Sequence, residues 1–398
     1  MAVRGVRIRM KKRVRILYFV DRMLRGGIQT FVLENMRHMD RSKVQIDYLL
    51  LDDGNHYELE DVLEKEGAIV YKLKGIWLRS PIDFISYRIA VRDFFVKNNN
   101  YDIVHLHSTS KNWLILYYAK KYGIEIRIAH SHSIGFQTHS KMQLLVANVF
   151  KPFLKKYATH YFACSEEAGR WLFGDSQVTV IHNAVDLRKF SYKIEKRDII
   201  RKLYQLESAF VVGHVGRFTT LKNHSFLLEI FFEILKIQPK AKLLLVGEGV
   251  LQSEVIDKSR KMQIEDKIIF AGFHPNVEDY MSAMDTFIFP SMFEGLGLVL
   301  IEAQANGLPC FTSDVVVPKE AKVSELLNYI SLEKSPKEWA NIILKSNLKR
   351  RDVSNEIRKH GYEIEDTAKF LQNFYIEQTM RVHGEKQSEN EGDVRSEK

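Results

Sequence analysis

The sequence predicts an α/β protein made of two Rossmann-like, doubly wound parallel-sheet domains that face each other across a cleft. Short apolar runs alternate with longer helical patterns along most of the chain. The runs are rich in Val, Ile, Leu and Tyr and almost unbroken, as strands buried on both faces are. The alternation pauses over a polar, weakly periodic stretch at 186–206 and then restarts, so the 398 residues divide into two units. Each unit is of a size that one core can fill.

In the first unit, 1–190, strands read at 14–20, 44–51, 68–73, 102–107, 125–130 and 160–165. Apolar residues at helical spacing mark 30–39, 83–97, 112–121, 141–157 and 166–173. The second unit, 191–352, repeats the pattern with strands at 209–217, 241–247, 267–273, 286–291, 309–314 and 329–332. Its helices fit at 223–237, 251–262, 277–284, 298–306 and 336–348. A last helical segment in 353–382 is expected to pack back on the first unit. The tail 383–398 has almost no apolar residues and is expected to be disordered. In parallel sheets covered by helices, ligands bind beyond the carboxyl ends of the strands. The unusual residues of this chain gather at those ends.

Composition excludes more than it assigns. Hydrophobic residues at 45% and charged residues at 27% are the balance of a globular protein in water. The net charge of +9 favours anionic partners, with a plainly solvated surface as the alternative. Arg4, Arg7, Arg9, Lys11, Lys12, Arg13 and Arg15 crowd the N-terminus. Lys141, Lys151, Lys155 and Lys156 flank a segment carrying Leu144, Leu145, Val149, Phe150, Phe153 and Leu154. That segment suits a core helix and a helix lying in a headgroup layer equally well. Basic residues are not interleaved with stacking aromatics along one face, so nucleic acid is not an expected partner. No stretch approaches the roughly 18–20 apolar residues of a spanning helix, and no cleavable leader is recognised. A cytoplasmic location, with contact at the inner face of the cell membrane, is the expectation. Cys164 and Cys310 lie far apart, without metal-ligand spacing, and read as inert thiols in a reducing compartment.

Several motifs carry chemistry. Gly26-Gly27 follows the first strand, lets backbone approach a ligand, and precedes a helix that Thr30 is placed to cap. Alone, such a pair is more often a turn. His107 ends one strand and His130-Ser131-His132-Ser133 ends another. No carboxylate or cysteine lies near in sequence to complete a metal shell, and hydrogen bonding to a sugar or phosphate suits these imidazoles better. Gly216-Arg217 closes the first strand of the second unit, and Lys222 follows just before a helix. Two cations and a helix N-terminus together trap phosphate. Glu248 and Phe273 stand in the turns after the next two strands, where a flat ring can lie against the backbone. Glu294-Gly295-Leu296-Gly297-Leu298 opens a helix that carries Glu302. Its first amides seat a diphosphate, and the two carboxylates accept hydrogen bonds from sugar hydroxyls. Paired carboxylates also cleave glycosidic bonds, but Glu302 is too fixed on its helix to flank one.

In combination these residues resemble the retaining GT-B glycosyltransferases of family 4. The likeness rests on the Glu-x7-Glu pattern of Glu294 and Glu302, on Val215-Gly216-Arg217 with Lys222-Asn223-His224, and on His182-Asn183-Ala184-Val185-Asp186 with Phe190. Gly26-Gly27-Ile28-Gln29 matches the family's N-terminal glycine loop, and the similarity runs over about 14–380. Ile128-Ala129-His130-Ser131-His132-Ser133 and the stretch from Glu302 to Cys310 resemble a bacterial branch that builds exopolysaccharide and capsule. One departure is Val315-Val316-Val317-Pro318-Lys319-Glu320, where many relatives carry Gly-Gly and Glu.

The resemblance implies roles. Arg217 and Lys222 hold the donor diphosphate, Glu294 binds donor-sugar hydroxyls, amides of Gly295, Leu296, Gly297 and Leu298 hold phosphate, and Glu302 grips the ribose. His130 stands beside the reacting carbon, with His132 as its competitor. The implied reaction moves a sugar from a nucleotide-sugar, a UDP-sugar in the first instance, to a polyprenyl-diphosphate-linked saccharide. Configuration is retained and no metal or other cofactor is required. No Asp-x-Asp motif occurs. The alternatives are a non-catalytic nucleotide-sugar sensor and a transferase acting on a soluble acceptor.

Overall fold

The structure is a computed structural model that describes residues 13–24, 26–74, 81–135 and 141–396. The chain forms two compact units, one of Met1–Asn183 with Ile364–Lys398 and one of Ala184–Glu363. The N-terminal basic run through Lys12 lies outside the described residues, as does the side chain of Lys141.

The first unit holds β1 (Val14–Val20), β2 (Val44–Asp52), β3 (Val70–Lys74), β4 (Ile103–His107), β5 (Ile126–Ser131), β6 (His160–Ala163) and β7 (Thr179–Val180). They form one sheet in the order β3-β2-β1-β4-β5-β6-β7, with every pairing parallel. Side chains alternate across a strand, and β1 shows it. Ile16, Tyr18 and Val20 enter one core with the Gly27–His38 helix, while Leu17 and Phe19 enter the other with the Pro81–Lys97 and Trp113–Lys121 helices. Both faces are therefore apolar, which explains the unbroken runs. The C-terminal helix, Ile364–Ser396, adds Ala368, Leu371 and Tyr375 to the first of these cores.

The second unit holds β8 (Val211–Val215), β9 (Lys242–Val246), β10 (Ile268–Gly272), β11 (Thr286–Phe289), β12 (Cys310–Ser313) and β13 (Leu327–Ile330). Their order is β10-β9-β8-β11-β12-β13, again parallel throughout. The His224–Ile237 and Pro336–Lys345 helices cover one face, and the Leu298–Ala305 helix covers the other. The helix at Pro336 starts sharply because Ser335 and Glu338 form a reciprocal capping box with Pro at the first turn.

Five expectations are corrected. The division falls between Asn183 and Ala184 rather than after Phe190, because Val185 pairs with Glu363 and Leu187 and Phe190 enter the second unit's core. The stretch read as a linker contains the Leu187–Phe190 and Ile194–Leu203 helices. Arg201 anchors the longer one by donating to the carbonyl of Ala283 at 2.9 Å and to Asp285 at 2.5 Å, a tie that polar composition conceals. The segment 353–382 is two helices, Ser354–Lys359 and the one from Ile364, parted at Gly361, whose φ of 77° is left-handed. The polar tail continues that second helix to Ser396. Finally, Thr30 does not cap its helix. The helix starts at Gly27, and the Thr30 amide already donates to the Gly26 carbonyl at 2.9 Å. The sequence reading passed over the Glu58–Lys65 helix and the two-residue strand β7.

Candidate functional site

Each sheet has one topological switch point, the place where strand order reverses and a crevice opens at the carboxyl ends. In the first unit it lies between β1 and β4, and in the second between β8 and β11. Gly26, Gly27 and His107 fall at the first, and Gly216, Arg217 and the turn before Leu298 fall at the second. His130 and His132 stand at the end of β5, next to β4.

In the second unit the site is built on close backbone packing. Gly247 has a φ of +136°, and a Cβ there would lie 2.2 Å from the Gly216 carbonyl oxygen. A Cβ on Gly249 would lie 2.5 Å from the Phe218 carbonyl oxygen. Only glycine lets the turns after β8 and β9 meet this closely. They are joined by hydrogen bonds from the Gly216 amide to the Val246 carbonyl and from the Phe218 amide to the Glu248 carbonyl, both 3.0 Å. Glu248 is exposed, and its carboxylate accepts from the Phe273 amide at 3.3 Å.

Lys222 and Glu294 meet directly. The ammonium donates to Glu294 Oε1 at 2.5 Å and lies 4.6 Å from the centre of the Phe289 ring. Ser291 donates to the same carboxylate oxygen, also at 2.5 Å. The turn is fastened at both ends, by the Met292 amide on the Leu221 carbonyl at 2.7 Å and the Glu294 amide on the Val316 carbonyl at 3.3 Å. The divergent Val315-Val316-Val317 segment thus supports the Glu294 turn through its backbone. Gly295 has open space where a Cβ would be, and Gly297 (φ +75°) is the left-handed N-cap of the Leu298–Ala305 helix. Arg217 is exposed, and its guanidinium forms no hydrogen bond or ion pair among the described residues. The turn therefore presents one uncommitted guanidinium, one ammonium held by a carboxylate, and a row of helix amides. Cations beside helix amides are the donors and charge that phosphate groups require.

Glu302 is half-buried one turn into that helix. Burial pushes its carboxyl up to about 7, opposed by Lys189 and reinforced by Glu278. The charges acting on it are Lys189 and Glu278, whereas Glu294 is bound by Lys222 and Ser291.

In the first unit Gly26 and Gly27 are exposed at the start of the Gly27–His38 helix, and a Cβ on Gly27 would touch the Asn183 side-chain amide at 3.8 Å. Four histidines form a block beside this helix. His105 stacks on His107 and His130 stacks on His132, each with ring centres 4.0 Å apart. His105 Nε2 and His130 Nδ1 are 3.2 Å apart, and His107 Nδ1 and His132 Nε2 are 2.9 Å apart. Phe31 sets its ring against His107, His130 and His132. Burial holds His105, His107 and His130 well below the usual imidazole range and lowers His132 to about 3, so the block is neutral. His130 is 0% exposed, whereas His132 is half-buried beyond the end of β5. Among the described residues, neither His130 Nε2 nor His132 Nδ1 has a hydrogen-bond partner or reaches the surface, and His132 is the more exposed residue of the two.

Nitrogens of His105, His107 and His130 lie within 4.8 Å of one another, as three metal ligands would. Yet His105 has both nitrogens in hydrogen bonds, to the Tyr375 hydroxyl and to His130 Nδ1, which leaves it no free lone pair for an ion. His105 was missed at sequence level. Its signal was the repeated His-x-His, His105-Leu106-His107 and His130-Ser131-His132, whose period of two puts all four rings on one sheet face.

Comparison with known proteins fits this geometry. Residues 25–189 match the model described as Glycosyltransferase Family 4, and residues 195–363 match Glycosyl transferases group 1. The chain is 31% identical to EpsF of Bacillus subtilis over 93% of this chain and 98% of that protein. It is 24% identical to the capsular polysaccharide biosynthesis glycosyltransferase CapH of Staphylococcus aureus over 92% of this chain and all (100%) of that one. It is 30% identical to the UDP-Gal:alpha-D-GlcNAc-diphosphoundecaprenol alpha-1,3-galactosyltransferase of Escherichia coli over 55% of this chain and 59% of that one. Among solved structures, a glycosyltransferase from Rickettsia africae superposes with a TM-score of 0.74 at 16% identity, covering 92% of this chain and 98% of that one. HepE of Anabaena, solved with UDP, gives 0.67 at 18% identity, covering 94% and 100%. With two parallel-sheet domains and this turn of Arg217, Lys222, Glu294 and Glu302, the chain belongs to the GT-B glycosyltransferases of family 4, among the bacterial enzymes of exopolysaccharide and capsule biosynthesis.

Proposed function

We propose that this glycosyltransferase moves a hexose from a UDP-sugar to a saccharide carried on a polyprenyl diphosphate, with retention of configuration and without a metal ion. The observation that carries the reading is the Lys222–Glu294 pair at the mouth of the Leu298–Ala305 helix, with Arg217 uncommitted beside it. A departing UDP gathers negative charge. Arg217, Lys222 and the helix amides are already oriented where that charge develops, so they stabilise the transition state without reorganising. This is the work a divalent ion performs elsewhere. Glu294 keeps the Lys222 ammonium in place and offers its second carboxylate oxygen to donor hydroxyls. Glu302 accepts from the ribose. His132 is the histidine we assign to the donor sugar, and the acceptor hydroxyl attacks from the face that the diphosphate leaves.

The donor and acceptor classes are supported by the Escherichia coli relative, whose name specifies UDP-Gal and a diphosphoundecaprenol acceptor, and by the UDP bound in HepE. A lipid-linked acceptor requires the enzyme at a membrane surface. Among the described residues no helix is long and apolar enough to cross one, so we assign a peripheral contact. Leu145, Val149 and Phe153 are exposed along one side of the Lys141–Tyr157 helix, and Ile82, Ile85 and Ile89 along one side of the Pro81–Lys97 helix.

The test is a donor panel. UDP-sugars should raise the unfolding temperature where GDP- and ADP-sugars do not. Arg217→Ala and Glu294→Ala should each lower turnover on a lipid-linked acceptor roughly 100-fold, the usual cost of one oriented charge-stabilising group. Full transfer activity in either variant, or stabilisation by none of the donors, would refute the reading.

A further inference from the structure

Beneath His132 lies a chain of hydrogen bonds that the transfer chemistry does not itself touch. Tyr18 and Tyr375 join hydroxyl to hydroxyl at 2.8 Å. The Tyr375 hydroxyl is 2.8 Å from His105 Nδ1, and His105 Nε2 is 3.2 Å from His130 Nδ1. The four residues come from β1, the C-terminal helix, β4 and β5, and each is 0% exposed. All four groups are buried, so each link holds one proton and the links are coupled.

Two consequences follow. A neutral imidazole donates from one nitrogen and accepts at the other. If His105 donates from Nε2, then His130 accepts at Nδ1 and keeps its own proton on Nε2; reversing one link reverses the other. His105 and His130 therefore share one tautomer. The intrinsic preference of the histidine side chain for the proton on Nε2 selects the direction in which Tyr375 donates to His105. The second consequence is mechanical. His105 touches both supports of His132. It is hydrogen-bonded to His130, on which His132 is stacked, and it is itself stacked on His107, to which His132 is hydrogen-bonded.

We propose that Tyr375, carried by the C-terminal helix, and Tyr18 and His105 with it, are positioning residues of the transfer reaction, fixing the tautomer and plane of the histidine block on which His132 rests. This rests on the assignment of His132 to the sugar made above. It gives the returning helix a role in the site besides covering a core: one oxygen atom on that helix sets the orientation of an imidazole at the sheet's carboxyl edge.

Tyr375→Phe removes that oxygen and keeps the ring. In the full-length, ligand-free protein, nitrogen-15 NMR of the imidazoles should show His105 and His130 as the same Nε2–H tautomer. In Tyr375→Phe the signals of His130 and His132 should move. Turnover, read as UDP released from the UDP-hexose that best stabilises the protein, should fall about tenfold with KM for that donor within about twofold, as expected for lost orientation rather than lost binding. Tyr18→Phe, which leaves the bond between Tyr375 and His105, should show the same changes in smaller measure. His132→Ala separates the two levels of argument. If His132→Ala transfers normally, the site reading fails. If His132→Ala is inactive but both Phe variants keep wild-type turnover and unshifted histidine signals, losing only thermal stability, the positioning inference is overturned.

Discussion

Glu302 shows what a single residue says at this site. Its carboxyl is pushed up to about 7, burial being the main cause. The unfolded chain would titrate it near 4.3, so between those values the folded state binds the proton more tightly. Stability is thus highest at low pH with respect to this group, and falls as pH rises towards 7. At pH 8 the buried charge costs on the order of 2 kcal/mol. Glu302→Gln should therefore unfold several degrees higher than the wild type at pH 8, and by a smaller margin at pH 5. It should also bind UDP about tenfold more weakly, because an amide replaces an acceptor used by the ribose. Thermal scans at the two pH values, with and without UDP, check both statements, and a larger difference at pH 5 than at pH 8 would contradict the assignment. Arg217 and Glu294 were legible in the sequence because charged residues beside glycine at strand ends have few structural reasons to be there, and Lys222 and Glu302 because each stands at or in the helix that follows. His105 and Tyr375 were not. A histidine inside an apolar run reads as an interruption, and its partnership with Tyr375 spans a sequence separation of 270 that no local pattern encodes.

At the scale of elements, the Lys141–Tyr157 helix packs one side into the core and leaves apolar residues exposed on another, where we propose the membrane contact. Leu154 is buried, and Trp113 packs on Phe150, Phe153 and Tyr157. Leu145 and Val149 are exposed. The neighbouring Pro81–Lys97 helix meets it through stacked Phe84 and Phe150 and turns Ile82, Ile85 and Ile89 outward. Periodicity misjudged this pair because apolar residues lie on both sides of each helix, and only packing tells which side is covered. Lys156 is exposed at the end of the first helix, in place to meet anionic headgroups. Replacing Leu145 and Val149 together with Glu should weaken sedimentation with phosphatidylglycerol vesicles at least tenfold, since each inserted side chain contributes roughly 1.5 kcal/mol or more. Thermal stabilisation by UDP should not change. Undiminished vesicle binding would remove these helices from the membrane contact. The strands were the most legible elements, since burial on both faces leaves continuous Val, Ile and Leu. The Ile194–Leu203 helix was the least, because Arg197 and Arg201 use their charges on Asp285 rather than on solvent.

At the scale of the whole molecule, the two units should respond differently to acid. The first holds His105, His107, His130, His132 and His160 with depressed imidazole pKa values, the largest cause in each being loss of solvent around the ring. The second holds His214 and His224 in the same condition, the latter near 4, and sets against them Glu302 with the opposite sign. A histidine kept neutral by folding contributes fully above the unfolded value of about 6.5, and its contribution is lost as pH falls below it, at up to about 1.4 kcal/mol per pH unit. Between pH 7.5 and 5.5 the first unit should lose on the order of 5 kcal/mol. The second should lose on the order of 1 kcal/mol, because protonating Glu302 relieves its own burial cost over the same interval. Acidification should then split a thermal scan into two transitions, the lower one belonging to the unit that carries the histidine block. Hydrogen exchange at pH 5.5 identifies it: amides of β4 and β5 should lose protection while those of β8 and β11 keep theirs. UDP should raise the upper transition alone, since Arg217, Lys222, Glu294 and Glu302, the residues we assign to it, all belong to the second unit. If β8 and β11 open first, the histidine block is not what limits this protein in acid.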